Sequence, residues 1–155
     1  MRDAERGRER GCRLKKRWLI LAMLCIGFIL IHSLIPESKS ARESLWFTES
    51  ILNPLLMRFG IVANKDIIRK IAHAVEFCVF AYMLSLYWNK PIRAFYAGFT
   101  LAFLDESLQV ITGRGALVTD IWIDLIGVGL GVLIERTVSL IRNKRHNNTT
   151  IISNK

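Results

Sequence analysis

The sequence predicts an all-α, polytopic membrane protein: a bundle of four transmembrane helices with an amphipathic interfacial helix in the first outer loop. Of its 155 residues 52% are hydrophobic, and the formal net charge is +9. Residues 1–17 hold eight Lys/Arg and three acids, residues 142–155 hold four Lys/Arg and no acid, and residues 18–141 carry ten charges of each sign. A neutral apolar body between basic tails is typical of polytopic membrane proteins and argues against a nucleic-acid-binding protein.

Four apolar segments, each of which spans about 27 Å or more as a helix and is long enough to cross a bilayer, make up the predicted transmembrane domain. They span residues 18–35, 67–88, 92–111 and 120–141. A cleaved signal peptide is the alternative for the first segment, because a basic region precedes it and small residues follow, but its length favours an anchor. The cysteines imply no disulfide framework, since Cys12 lies in the basic tail and Cys25 and Cys78 lie in apolar runs.

The distribution of Lys and Arg predicts the orientation, because positively charged loops resist translocation. The N-terminal tail, the turn with Lys90 and Arg93, and the C-terminal tail are basic, and four helices place all three on one side. Both termini are therefore expected in the cytoplasm as basic tails, 1–17 and 142–155, that bind anionic lipid. Residues 36–66 and the turn 112–119 are then expected outside.

The outer loop 36–66 has the pattern of a helix lying on the membrane surface. Ser40 and Glu43 have the Ser-x-x-Glu form of a capping box. Apolar residues follow at rough helical spacing, at Leu45, Ile51, Leu52, Leu55, Leu56 and Phe59. We expect an amphipathic interfacial helix that bends near Pro54.

Charged and polar residues interrupt the apolar segments, although an ionisable group in a bilayer is costly unless it is paired, hydrated or functional. They are Arg69, Lys70, His73 and Glu76 in the second segment, Asp105, Glu106 and Gln109 in the third, Arg114 in the following turn, and Asp120 and Asp124 in the fourth. With alternating helix directions, all of them fall at the outer end. The fourth segment continues past Asp124 with Gly127 and Gly131, a small-xxx-small pair that allows close helix packing. The sequence thus predicts one clustered site.

The cluster holds more acidic than basic groups, and such an excess must be relieved by protonation, by water or by a bound cation. The sequence does not choose among these, so no cofactor is assigned beyond a candidate divalent cation. Its candidate carboxylate ligands are Asp105, Glu106, Asp120 and Asp124. His73 together with Glu76 also suits metal binding or proton transfer. In the alternative interpretation the same residues form structural ion pairs and hydrogen bonds between helices. His32, near the end of the first segment, is left as an interfacial residue.

The polar residues form one ordered motif. It runs Arg69-Lys70-x-x-His73-x-x-Glu76-Phe77, then Asp105-Glu106-x-x-Gln109, Gly113-Arg114, and Asp120-x-x-x-Asp124-x-x-Gly127-x-x-x-Gly131. This motif resembles the VanZ-like family of bacterial membrane proteins. The resemblance covers roughly residues 69–133. One departure is Thr112, where the family usually has a proline before the turn glycine.

The resemblance implies a multi-pass protein of the bacterial cytoplasmic membrane, in a family whose founding member gives low-level resistance to the lipoglycopeptide teicoplanin. We therefore expect a cell-envelope protein that binds, and in one interpretation modifies, a lipid-linked head group at the outer leaflet. Expected partners are membrane lipids, a lipid-linked cell-wall precursor or a lipoglycopeptide, and a homo-oligomer. Whether the protein is an enzyme stays open. The alternative is a non-catalytic scaffold or interaction protein, and a transporter ranks last.

Each residue of the predicted cluster has an expected role in head-group binding. Arg69, Lys70 and Arg114 would hold phosphate, because cationic side chains, and guanidinium forks above all, match its oxygens. Acid–base chemistry or cation binding would fall to the remaining polar residues. These are His73, Glu76, Asp105, Glu106, Gln109, Asp120 and Asp124.

Overall fold

The computed structural model of the chain describes residues 2–34, 46, 50, 65–112 and 118–153. In these ranges the chain forms four long helices: α1 (Arg2–Leu34), α2 (Lys65–Trp88), α3 (Pro91–Ile111) and α4 (Val118–Ser153). The predicted all-α class is confirmed. The predicted interfacial helix lies outside the described residues, apart from Trp46 and Ser50, and Arg114 also lies outside them.

The first and last helices of the chain extend past the predicted apolar segments. α1 begins at Arg2 rather than at residue 18, and α4 continues to Ser153 rather than ending at residue 141. Most of the added residues near the N-terminus are Arg, Lys and Glu, which are good helix formers, so hydrophobicity alone underestimated the helix lengths. The division into tails and a transmembrane domain stays a prediction.

A tight turn joins α2 to α3. Asn89 has a positive φ of 54°, a conformation that asparagine tolerates at a helix end, and its N–H donates to the carbonyl of Ser85 at 2.8 Å. Pro91 then begins α3, where its fixed φ suits the first helical turn. α2 and α3 therefore form an antiparallel hairpin.

Two glycines of α4 bring its backbone directly against α2. A Cβ at Gly127 would overlap the carbonyl oxygen of Ala74, and a Cβ at Gly131 would overlap that of Cys78. Because both contacts keep the same offset along the chain, α2 and α4 run parallel. We call this contact the glycine seam. It confirms the close packing predicted from the small-xxx-small pair.

The bundle is apolar outside and partly polar inside. Exposed apolar side chains cover every helix, for example Leu24 (65% exposed), Tyr96 (63%), Phe103 (60%) and Leu133 (61%). Ser33, His73, Asp105, Glu106, Gln109 and Asp124 are buried. Water would disfavour this arrangement and a lipid environment favours it. Two stretches, Leu14–Leu34 and Ile67–Trp88, are long and apolar enough to cross a membrane.

Candidate polar site at one end of the bundle

One end of the bundle gathers polar side chains from all four helices, and we call it the polar end. There α1 ends, α2 begins, α3 ends and α4 begins. The hydroxyl of Ser33 donates to the backbone oxygen of Asp105 at 3.3 Å and so joins α1 to α3. Lys70 of α2 forms an ion pair with Asp120 of α4, with Nζ 3.1 Å from Oδ1. Among the described residues, polar side chains that the sequence placed at a common depth thus meet in space, as Lys70 and Asp120 do.

Asp105 lies at the centre of the polar end. It is fully buried, and its Oδ2 accepts a hydrogen bond of 2.8 Å from Nε2 of Gln109, one turn later on α3. Gln109 is itself only 8% exposed, so the amide is held in place to orient the carboxylate. The predicted acid–base role of Gln109 stays a prediction, and its observed contact is that of a positioning group.

A small cavity opens beside these residues. Its volume is about 20 Å³, enough for one water molecule or one monatomic cation. The lining residues are Arg69, Lys70, His73, Gln109, Asp120, Ile123 and Asp124. Six of these seven residues are among those that the sequence assigned to the site. The cavity therefore has a cationic side formed by α2 and an acidic side formed by α4.

Carboxylates dominate the charge of the polar end. Asp124 interacts electrostatically with Glu76, Asp105, Glu106 and Asp120. Of these five groups, Asp105, Glu106 and Asp124 are each less than 10% exposed. Buried like charges repel strongly because little water screens them. The excess of acid predicted from the sequence is thus present in the folded bundle.

Two overlapping sets of side chains at the polar end have metal-ligand spacing. One set is His73, Asp105 and Asp124, and the other is His32, His73 and Glu76. Within each set the ligand atoms lie within 4.8 Å of one another. Together the sets draw on all four helices.

His32 and Ser33 were absent from the predicted site. The His32 ring lies beside the ring of His73, with centroids 5.3 Å apart, and it also stacks on Phe28 at 6.2 Å. The sequence could have indicated His32 by its position, because the last turn of α1 is expected at the same end of the bundle as the other polar residues. Glu135 is buried further along α4, about 16 Å from Asp124 along the helix axis.

An apolar groove runs along the bundle below the polar end. Its volume is about 440 Å³. α1, α2 and α3 line it, with Leu19, Ala22, Met23, Ile26, Leu30, Phe80, Leu84, Trp88, Ala97, Thr100, Leu101 and Leu104. Leu104 directly precedes Asp105 in the chain, so the groove reaches the polar end.

Residues 18–140, which contain every polar residue of the site, match a sequence model of the VanZ/LLP1 family. The chain belongs to the VanZ/LLP1 family. It is also similar to the uncharacterized membrane protein YwnJ of Bacillus subtilis (strain 168), with 41% identity over 80 residues. That alignment covers 49% of this chain and 55% of YwnJ, so the chain spans about half the length of this curated relative. No solved structure matches the chain.

Membership of the VanZ/LLP1 family confirms the resemblance found in the sequence. The apolar surface, the two span-length apolar stretches and the membrane-protein relative together identify this VanZ/LLP1 chain as a membrane protein. The number of crossings, the orientation and the chemical roles of the site residues stay predictions.

Proposed function

We propose that this VanZ/LLP1 protein is a multi-pass protein of the bacterial cytoplasmic membrane that binds an anionic, lipid-linked head group at the outer leaflet. All four helices cross the membrane and both termini are cytoplasmic. The observation that carries the proposal is the cavity at the polar end, which has Arg69 and Lys70 on one side and adjoins a long apolar groove.

The cationic side of the cavity suits a phosphate or carboxylate of the ligand. Arg69 offers the fork geometry that matches such oxygens, and Lys70 offers a mobile ammonium group. Lys70 is held by Asp120 in an ion pair whose side chains are 32% and 22% exposed. Such a partly exposed pair is weak, so an incoming anion can compete for the ammonium. Arg114, which follows α3 in the chain, is a third proposed phosphate ligand.

The apolar groove suits the lipid part of the same ligand. A lipid-linked head group has its polar and apolar portions in fixed order, and the groove continues from the polar end at Leu104 towards Trp88. Acyl or prenyl chains gain free energy from close contact with such a surface. The combination selects an amphiphile over a free phosphate.

Two classes of amphiphile fit this description, a lipid-linked cell-wall precursor and a lipoglycopeptide such as teicoplanin. Binding either one would change the response to glycopeptides that act on the precursor. Any modification of the bound head group would use His73 and Glu76 as proton carriers, with Asp105, Glu106, Asp120 and Asp124 as acids, bases or cation ligands.

Binding can be measured on the full chain in phosphatidylcholine nanodiscs. The probes are teicoplanin and a polyprenyl pyrophosphate that carries the cell-wall disaccharide-pentapeptide. Arg69→Gln and Arg114→Gln are expected to weaken binding of the preferred probe by about tenfold each, because each removes a charge-assisted contact. The matched control is Arg93→Gln, at the other end of the bundle. Equal binding by all three variants, or none by the unmodified protein, would overturn the proposal.

The second candidate function is a non-catalytic scaffold, and the Lys70–Asp120 ion pair favours it because the pair joins two helices. A scaffold predicts that the charge-swapped double variant, Lys70→Asp with Asp120→Lys, restores what either single change removes. A ligand site would lose binding in all three variants. A teicoplanin susceptibility assay of cells expressing each variant, with membrane-inserted protein quantified in parallel, separates the two.

A further inference from the structure

Three side chains with metal-binding atoms converge beside the cavity, each from a different helix. We infer that His73 of α2, Asp105 of α3 and Asp124 of α4 bind one divalent transition-metal ion of the zinc type. No part of this inference depends on head-group binding.

The spacing of the three ligand atoms supports a shared ion. All of them lie within 4.8 Å of one another. Zinc binds nitrogen and oxygen at about 2.0–2.2 Å in a tetrahedral arrangement, so two ligand atoms of one ion are about 3.4 Å apart. Side-chain adjustments of less than about 1 Å for each ligand atom therefore bring all three atoms into coordination.

The burial of Asp124 points independently to a ligand. Its side chain is only 3% exposed and lines the cavity, and among the described residues it has no hydrogen-bond or ion-pair partner. Burying a carboxylate without a compensating partner raises the free energy of the folded state. A divalent cation would compensate the charge of Asp124 and that of Asp105. The cavity of about 20 Å³ has the size of a single ion.

The second set of side chains supplies a supporting shell. His32 of α1 and Glu76 of α2 lie within ligand spacing of His73. An imidazole has two nitrogens, so His73 can ligate through one while Glu76 or His32 orients the ring through the other. Carboxylate partners of this kind fix the ring tautomer of metal-bound histidines.

The donor set selects the class of metal. One imidazole with two carboxylates suits zinc, manganese, ferrous iron and cobalt, and the imidazole disfavours calcium and magnesium, which take oxygen ligands. The set also differs from the carboxylates proposed from the sequence. Asp105 and Asp124 remain, and they are joined by His73, which the sequence had offered for metal binding together with Glu76. Asp120 is engaged by Lys70, and Glu106 belongs to neither set.

The test uses tag-free full chain in detergent, stripped with a chelator and titrated with Zn²⁺ against a fluorescent indicator. We expect one high-affinity ion per chain. Asp124→Asn and His73→Ala are expected to abolish high-affinity binding, and His32→Ala to weaken it about tenfold, as loss of a supporting contact does. Titration with Co²⁺ adds a spectroscopic readout, since bound cobalt gives visible bands that shift when the geometry of its ligands changes, as it would when His32 no longer supports the ring of His73.

Two control variants should keep full binding. Glu135→Gln removes a buried carboxylate elsewhere on α4, and His146→Ala removes the third histidine of the chain. Unchanged zinc affinity in Asp124→Asn, or its loss in His146→Ala, would overturn the inference. If Asp124→Asn does not fold, the cobalt spectrum of His32→Ala decides: an unchanged spectrum and affinity count against the site. No lipid probe is present, so failure here is distinct from failure of head-group binding.

Discussion

The imidazole rings of His32 and His73 lie 5.3 Å apart at a tilt of 47°, and this contact makes α1 part of the polar end. The hydroxyl of Ser33 adds a second link from α1, to the backbone of Asp105. The first helix is therefore more than an anchor, because its last turn completes the surroundings of a buried carboxylate. Changes at the end of α1 should affect the chemistry of the site as well as membrane insertion.

The proposed orientation predicts which residues can be labelled from outside the cell. Single cysteines at Thr112 and Ser139, in a background lacking Cys12, Cys25 and Cys78, are treated in intact cells with a membrane-impermeant thiol reagent. Thr112, at the end of α3, is expected to react and Ser139 is not. The reverse pattern would place the polar end in the cytoplasm and exclude an outer-leaflet ligand.

The glycine seam predicts that a methyl group added at Gly127 lowers the stability of the protein, whereas the same group added at Gly129 does not. In Gly127→Ala the added Cβ meets the backbone of Ala74, which cannot move aside as a side chain can, so α2 and α4 must separate. Overpacking of this kind costs about 1–3 kcal/mol. Thermal unfolding in detergent measures the loss, and Gly129→Ala is the control because its Cβ would meet nothing within 4 Å. Similar stabilities of the two variants would argue against the seam.

The excess of buried carboxylates predicts that removing one charge stabilises the metal-free protein. Asp124→Asn eliminates repulsion with Glu76, Asp105, Glu106 and Asp120 while keeping the shape of the side chain. A gain of about 1 kcal/mol would raise the melting temperature by about 2–4 °C. With a chelator present, the variant should melt above the unmodified protein, and saturating Zn²⁺ should reverse that order. A variant that melts lower under both conditions would indicate that Asp124 is stabilised by other means.

The apolar groove predicts that one bulky residue can exclude the lipid chain. Thr100 lines the groove and Thr137 lies on the outer surface of α4. Each is exposed, and each hydroxyl donates to the carbonyl of the residue one turn back, at 3.0 and 2.9 Å. Thr100→Phe should therefore weaken binding of the amphiphilic probes in nanodiscs, and Thr137→Phe should not. Equal affinities would show that the lipid chain does not occupy the groove.

The sequence predicted correctly which residues share one face of a helix, because that property depends only on the periodicity of the helix. Asp124, Gly127 and Gly131 were placed on one face, and that face packs on α2. The alternation of helix directions was enough to expect the charged residues at one end. Rotation of one helix relative to another is not encoded in such patterns, so the pairing of Lys70 with Asp120 and the contact of His32 with His73 emerged only in three dimensions.

The groove is lined by three helices whose outer surfaces are apolar, so an amphiphile can enter it from the surrounding bilayer without crossing water. Encounter is then a two-dimensional search, and occupancy follows the surface density of the ligand in its leaflet. A lipid whose concentration in the whole cell is low can still have a high surface density in its leaflet. Affinities for this protein should accordingly be compared as mole fractions of the membrane, and diluting the ligand with inert lipid should lower occupancy even at constant total concentration.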